Sequence, residues 1–556
     1  MANEVITEQL TGAQIFMKCL KEEGVDTVFG YPGAIILSIY EEFYKTDEIK
    51  HYLVRHEQAA IHAAEGYARV TDKCGIALVT SGPGATNTVT GIANAYLDAY
   101  PLIVFCGQVH SDLIGKDAFQ EVDIVDITSS CTKWSYQVKN IEELAQTIKK
   151  AFQIATTGKK GPVVIDIPKN ILEEKTELNI ETSKEILPED SQYYSIEKEQ
   201  INKAIELLTQ AQKPLIIAGG GVLASNASIE LTQFAQKLNI PVTTTLMGIG
   251  TYLQDDETNL GMLGVLGNYW ANQAIIECDV LLAIGTRFND RIINPIKHCS
   301  KNSKIIYIDT DPSAFSKTFS VSLPIVADAK EALNALLDGL KGYQTEPNDS
   351  WINQIQGWKS KKVLPKVQSE KLHPHDVLEK IYEFTKDYNP IVATEVGQHQ
   401  LWTAQAFKFK SPRKLLTSGG LGTMGFGFPA AMGACLADKN SLVINIAGDG
   451  SIQMNIQELA TCVEYNLPLK VMIINNGYLG MVRQWQEKLF DKHYCGTEIS
   501  GPDFVKVAEA YGAKGIRVEK EEEIIPALKE AIEYQGPVFI DFIVESFDVV
   551  YPYVSG

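Results

Sequence analysis

The sequence predicts an α/β protein of three doubly wound domains, each built around a parallel sheet. Three observations carry this prediction. Short apolar runs recur along the chain, and each ends in a glycine-rich or polar turn. Segments with helical apolar spacing lie between those runs, so strand and helix alternate and successive strands should be parallel. The chain has 556 residues, too many for one core and suited to about three domains.

The first unit covers residues 1–180. Thr11 to Glu23 has helical spacing, with Ile15 and Leu20 on one face. Val25 to Gly30 reads as a strand ending in Tyr31-Pro32-Gly33. Leu53 to His56 reads as a short strand, followed by Glu57-Gln58 and an alanine-rich helix to Arg69. Gly75 to Thr80 is a further strand, and Ser81 to Asn87 a glycine-rich turn into a helix. Leu102 to Phe105 and Val163 to Ile167 complete the set of buried strands.

The middle unit covers residues 191–342. Its strands are the run from Pro214 to the triplet Gly219-Gly220-Gly221, then Ile240 to Thr245, Val280 to Gly285 and Ile305 to Asp309. Residues 343–371 are polar and charged and read as a linker with some helix. In the last unit, 372–556, Val392 to Thr394 is a strand running into Glu395-Val396-Gly397-Gln398-His399. Ser418 to Gly425 is a glycine-dense loop before a helix.

The most informative stretch follows. Leu442 to Ala447 is a mostly apolar run ending in Gly448-Asp449-Gly450. A helix-period segment, Asn455 to Tyr465, leads to a second run, Leu469 to Ile474, ending in Asn475-Asn476. A strand–helix–strand unit of this kind puts Asp449 and Asn476 at carboxyl ends of parallel strands, the edge where open α/β sheets bind ligands. A carboxylate and an amide oxygen 27 positions apart (476 − 449) can converge on one hard cation. Mg²⁺ takes few protein oxygens and completes its octahedron with phosphate and water. Gly448 and Gly450 allow close backbone approach, and the amides that open a helix can face an anion. A lone Gly-Asp-Gly is usually a turn; followed by Asn-Asn at the next strand end it predicts a metal-bridged diphosphate.

This stretch resembles the GDG…NN motif of thiamin-diphosphate enzymes, and its surroundings resemble the acetohydroxyacid (acetolactate) synthase large subunits from about Leu10 to Val549. The resemblance implies three domains of the thiamin-diphosphate decarboxylase/synthase type, with Mg²⁺ held by Asp449, Asn476 and the backbone carbonyl of Tyr478. It implies a diphosphate held by Gln398 and His399, with Val396, Gly397, Gly422, Gly448, Gly450, Ser451 and Met481 also against the coenzyme. Glu57, within RHEQAAIHAAEGYAR, corresponds to the family's catalytic glutamate, which shares a proton with the aminopyrimidine N1′ atom. On its own Glu57 is equally a first-turn glutamate favoured by the helix dipole. Met424 corresponds to the residue that bends the coenzyme; elsewhere it would read as a gap-filling methionine.

Gly33, Phe119, Gln120, Met481, Val482 and Trp485 correspond to the substrate pocket, although Phe119 alone reads as core and the last three alone as a helix face. The tail Val549-Val550-Tyr551-Pro552-Tyr553 resembles a segment that closes over the site. Thr245-Leu246-Met247, Gly285, Arg287, Asp309 and Asp328, with the Gly219-Gly220 turn, resemble FAD-binding segments, and FAD here would be structural. The family's GMHG is replaced by Gly264-Val265-Leu266-Gly267, which removes one polar neighbour of the flavin. The family's YPGGA is replaced by Tyr31-Pro32-Gly33-Ala34-Ile35, which adds methyl groups at Ala34 and Ile35 where acceptor space is expected.

The activity implied is decarboxylation of pyruvate and ligation of its two-carbon unit to a second 2-keto acid, giving 2-acetolactate or its ethyl homologue. Other readings of the same residues are a carboligase using another carbonyl, such as a keto sugar nucleotide, a pyruvate-oxidase-like flavoenzyme, and a catalytically silent scaffold. The resemblance also implies a homodimer or homotetramer, with Glu57 of one subunit facing Asp449 and Asn476 of another, and a regulatory small subunit.

A net charge of −19 disfavours a nucleic-acid or anionic-membrane role. No apolar run approaches the roughly 20 residues that span a bilayer. The first ten residues lack a basic region followed by an apolar one, so a cytoplasmic location is expected. Nine scattered cysteines without C-x-x-C spacing point to reduced core thiols rather than a zinc site.

Overall fold

A computed structural model describes residues 9–177, 196–253, 256–292, 303–316, 320–344, 349–360 and 367–551. It contains three six-stranded sheets, parallel throughout, with helices between the strands. In the first sheet the spatial order is Lys50–Leu53, Thr27–Tyr31, Gly75–Val79, Leu102–Gln108, Pro162–Pro168, Trp134–Gln137. In the second it is Asn259–Met262, Val242–Thr244, Pro214–Ala218, Val280–Ile284, Lys304–Asp309, Leu323–Val326. In the third it is Leu415–Leu416, Ile391–Thr394, Val443–Gly448, Lys470–Asn475, Val538–Ile543, Lys514–Val518. The central strands are buried on both faces, which is why they read as unbroken Val/Ile/Leu runs.

Each sheet has one switch point where the chain's strand order changes direction from one side to the other; in the first and third sheets the last two strands are also exchanged. The reversals fall between Thr27–Tyr31 and Gly75–Val79, between Pro214–Ala218 and Val280–Ile284, and between Ile391–Thr394 and Val443–Gly448. The carboxyl ends at a reversal diverge and leave a crevice where ligands bind. Gly33 and Thr80, Gly219 and Gly285, and His399 and Gly448 meet at these three places.

The first and third units of the chain share one core through helix α1 (Glu57–Thr71) and a helix of the last unit, Gly427–Ala437. A side chain at Gly66 would lie 2.1 Å from the carbonyl oxygen of Ala430, and one at Gly433 would lie 2.0 Å from that of Ala63. Only glycine lets the two backbones approach so closely.

Two local expectations shift. The strand expected at Leu53 to His56 runs instead from Lys50 to Leu53. Arg55 gives its N–H to the Glu458 carboxylate (2.9 Å), and the His56 ring accepts from the Gln58 N–H to cap α1, so the ladder ends early. The helix expected from Asn455 to Tyr465 begins as two 3₁₀ turns, Ile452–Met454 and Ile456–Glu458, and becomes α-helical only at Leu459–Glu464. Within residues 343–371, helix Asp349–Lys359 packs on the second sheet: Trp351 is buried and donates its indole N–H to the carbonyl of Pro214 (3.1 Å).

Candidate active site

The crevice of the third sheet gathers a hard-oxygen pair. Strand Val443–Gly448 delivers Asp449 and strand Lys470–Asn475 delivers Asn476 one residue past their ends. Both are buried. The Asp449 carboxylate accepts the Gly477 N–H (3.0 Å), and the Asn476 amide oxygen accepts the Tyr478 N–H (3.0 Å). The Asn476 amide N–H₂ reaches the side-chain oxygen of Gln398 (3.4 Å), which ties this pair to the third strand end of the crevice. Burial pushes the Asp449 carboxyl up to about 7, and the neighbouring Asp541 pushes in the same direction. A buried acid pressed by a second acid is a place that a cation would stabilise.

His399 opens the helix Gln398–Ala406 and is buried, with its Nε2 atom lacking any hydrogen-bond partner. Burial lowers its ring to about 3, so the imidazole is neutral near pH 7. A side chain at Gly448 would strike the His399 ring at 2.8 Å. Gly448 therefore has to be glycine for this histidine to sit at the crevice. The orphaned nitrogen and the oxygen pair fit a diphosphate bridged by a hard cation.

In the first sheet, Glu57 stands at the start of α1 and accepts a hydrogen bond from the Asn87 amide (2.9 Å). The hydroxyls of Thr80 and Ser81 beside it are buried without partners. Gln120 closes against Gly82 and holds φ at +61°, a left-handed conformation that clusters at functional sites in residues other than glycine. Phe119 is 87 % exposed, so it is not a core residue. Gly33 packs on Thr80, and Ala34 is exposed. Ile35 is half-buried, and its side chain packs over Gly107 against the first sheet's core.

The second crevice opens into a cavity of about 950 Å³ shared by all three units. It is lined by Gly220, Thr245, Leu246, Met247, Gly285, Arg287, Asp309 and Asp328 from the middle unit. Val396, Gly397, Gly422, Met424, Met481, Val482 and Trp485 line its other end. The Thr286 hydroxyl, on its wall, is buried and unpartnered. Burial lifts Asp309 to about 6. Gly219 does not line the cavity; a side chain there would lie 2.2 Å from the carbonyl oxygen of Gly285, so the close backbone packing requires glycine. Gln398, His399, Gly448, Gly450, Ser451, Asp449, Asn476 and Tyr478 lie off this cavity, in the third crevice. Glu57, Gly33, Ala34, Phe119 and Gln120 form a separate edge that does not line it either.

Helix Gly480–Leu489 carries Met481, Val482 and Trp485 on the cavity side. Its buried Arg483 donates to the carbonyl of Asp548 (2.9 Å), and Gln484 accepts the Val550 N–H (3.1 Å), so the chain end is tied across this helix. Pro552 and Tyr553 lie outside the described residues.

Several participants were not legible in the sequence. Glu395 is fully buried and its two carboxyl oxygens accept the N–H groups of Gly425 (2.6 Å) and Phe428 (2.8 Å), on either side of the turn that follows Met424. Burial raises this carboxyl from 4.5 to about 7. A raised acid contributes stability that is complete below its unfolded value and is lost as pH rises through its folded value. Glu395→Gln should therefore flatten part of the fall in melting temperature of the coenzyme-free protein between about pH 4.5 and 7, as read by calorimetry across that range. Asn94 and Asp98 reach the loop Ser418–Thr423 from the first unit, Arg69 reaches the carbonyl of Thr417 before it, and Glu65 stands behind them on Asn94 and Arg69; their place here was equally unmarked. Among the described residues, the cluster His375, Asp376 and Glu379 is the other set of side chains spaced to hold a metal; it lies on one helix, and Glu379 is exposed.

Comparison with known proteins places this geometry. Residues 10–127 match the N-terminal TPP-binding domain of thiamine pyrophosphate enzymes, 201–336 their central domain, and 395–542 their C-terminal TPP-binding domain. The acetolactate synthase large subunit of Haemophilus influenzae is 45% identical over 554 residues, 98% of this chain and 96% of that protein. The isozyme 3 large subunit of Escherichia coli is 43% identical, covering 98% and 96%. The mitochondrial catalytic subunit of Saccharomyces cerevisiae is 40% identical, covering 98% and 82%. The chain belongs to the acetolactate synthase large-subunit family of thiamine pyrophosphate enzymes.

Proposed function

We propose that this protein decarboxylates pyruvate and joins the two-carbon unit to a second 2-keto acid, pyruvate or 2-ketobutyrate, to give 2-acetolactate or 2-aceto-2-hydroxybutyrate. The observation that carries the reading is the third crevice: Asp449, Asn476 and the unpartnered His399 nitrogen converge where two parallel strands diverge.

Asp449, Asn476 and the Tyr478 carbonyl would hold Mg²⁺, and His399 with Gln398 would hold the diphosphate. When bound, thiamin diphosphate supplies a nucleophilic thiazolium carbon and an electron sink for the pair released with carbon dioxide. Glu57 holds and shares the proton at the aminopyrimidine N1′ atom, kept in orientation by Asn87. Met424 would support the coenzyme in its bent form. Phe119, Gln120, Val482 and Trp485 border the entrance and exclude water from the acceptor.

Glu57 does not line the cavity that Met424 lines, and the complete site is read as lying between two copies, in a homodimer or homotetramer. FAD is read as a structural occupant of the cavity of about 950 Å³, supported by the unpartnered Thr286 hydroxyl and by Arg287 and Asp309 on the wall. Leu266 lines the same cavity at the position of the family's histidine, so the flavin would meet a more apolar wall there. The name "large subunit" carried by the relatives supports a regulatory small subunit as partner.

A product assay tests the proposal. With pyruvate, Mg²⁺ and thiamin diphosphate, 2-acetolactate should be the main product by mass spectrometry. Traces of acetolactate with rapid ligation to another carbonyl, or release of acetaldehyde or acetate alone, would overturn it.

A further inference from the structure

The loop that carries Met424 is held from outside its own unit. Helix α2 (Val89–Asp98), on the first sheet's unit, contributes Asn94 and Asp98 to it. The Asn94 amide oxygen accepts hydrogen bonds from the hydroxyls of Ser418 (2.6 Å) and Thr423 (3.0 Å). The Ser418 oxygen in turn accepts the N–H groups of Gly422 (3.0 Å) and Thr423 (2.9 Å), which closes the loop on itself just before Met424. Asp98 accepts the N–H groups of Gly420 (2.6 Å) and Gly419 (3.3 Å).

Behind these two residues stands a buried charge pair. Arg69, on α1, donates to Glu65 (3.0 Å), to Asp98 (2.8 Å) and to the carbonyl of Thr417 (2.8 Å). Glu65 also accepts the Asn94 amide N–H (2.9 Å), which fixes which end of that amide faces the loop. Asn94, Glu65 and Ser418 are fully or almost fully buried, and so is Arg69. Thr417, Ser418, Gly419 and Gly420 are thus held in succession from the first unit, and Thr423 as well. A loop of this composition would otherwise sample many conformations.

We infer that Asn94, backed by Arg69 and Glu65, is a positioning residue for the reaction. It clamps the Ser418–Thr423 loop so that Met424 is held in its bending position before the coenzyme arrives. The first unit thus has two duties: its sheet edge presents Glu57, and the far end of its helices sets the Met424 loop of the same chain. The inference rests on the reading that Met424 touches the coenzyme.

The test uses the full-length protein with Asn94→Ala, Ser418→Ala, Met424→Ala and the two double variants with Met424→Ala. Ser418→Ala removes one hydroxyl and serves should Asn94→Ala fail to fold. In the coenzyme-free protein, hydrogen–deuterium exchange at Gly419 to Thr423 should accelerate by about tenfold or more in Asn94→Ala and Ser418→Ala. At saturating thiamin diphosphate and Mg²⁺, each should lower kcat by about tenfold or more, with the KM for pyruvate little changed, because misplacement rather than binding is at fault. Each double variant should be no slower than Met424→Ala alone, since the clamp acts through that side chain.

Losses that multiply in the double variants, or unchanged exchange and turnover in both single variants, would overturn the clamp. Met424→Ala with parental turnover and coenzyme affinity would overturn the reading of Met424 itself, and the clamp with it.

Discussion

Glu57→Gln should lower pyruvate turnover by about 100- to 10,000-fold, the range supplied by a positioned proton-transfer group. The expected result is specific to turnover. Glu57 is only partly buried and accepts a hydrogen bond from the Asn87 amide, one that a glutamine oxygen can also accept. Folding and the binding of thiamin diphosphate should therefore survive, and circular dichroism together with a coenzyme titration would check both. The same variant tests where the site is assembled. If Glu57 serves the Asp449 crevice of another copy, mixing inactive Glu57→Gln with inactive Asp449→Asn should restore activity. Random pairing makes half the dimers mixed, each with one intact site, so recovery should approach about a quarter of the parental rate. No recovery after verified subunit exchange would place both residues in one chain's site.

Asp449→Asn should weaken coenzyme binding by about 100-fold or more, since loss of even an outer partner of a metal ligand costs about 10- to 100-fold. Its effect on stability should run the other way. Burial holds the Asp449 carboxyl at about 7, against 3.8 unperturbed, so above pH 7 the coenzyme-free protein carries a buried charge. That raised value means stability is lost as pH climbs through about 7, and the neutral amide removes the loss. At pH 8 the coenzyme-free variant should melt no lower than the parent. The parent should then gain about 2.7 kcal/mol from coenzyme and Mg²⁺ at about 100 times the dissociation constant, and the variant should gain almost nothing at the same concentrations. A variant that melts lower without coenzyme yet gains as much with it would contradict this account.

The parts of the site that were legible in the sequence share a physical reason. Asp449 and Asn476 end apolar runs, and a polar residue placed there has to be at the rim of a buried strand. His399 and Gly448 are legible for the same reason. Glu57 was ambiguous, because an acid in the first turn of a helix is favoured by the dipole whether or not it does chemistry. Asn94, Asp98 and Glu65 were invisible. They lie on helices where polar side chains ordinarily face water; Asn94 and Asp98 instead meet a loop more than 320 residues away, and Glu65 is buried behind Asn94 and Arg69. The strand at Lys50–Leu53 was misplaced for a like cause: the Glu458 carboxylate that takes the Arg55 N–H is 403 residues distant.

The most direct test is a crystal grown or soaked with thiamin diphosphate and Mn²⁺ in place of Mg²⁺, with data collected at the manganese absorption edge. The account predicts one anomalous peak per chain, bounded by the Asp449 carboxylate and the Asn476 amide oxygen, with diphosphate density reaching His399. A crevice without a peak, or manganese at His375, Asp376 and Glu379 instead, would contradict it.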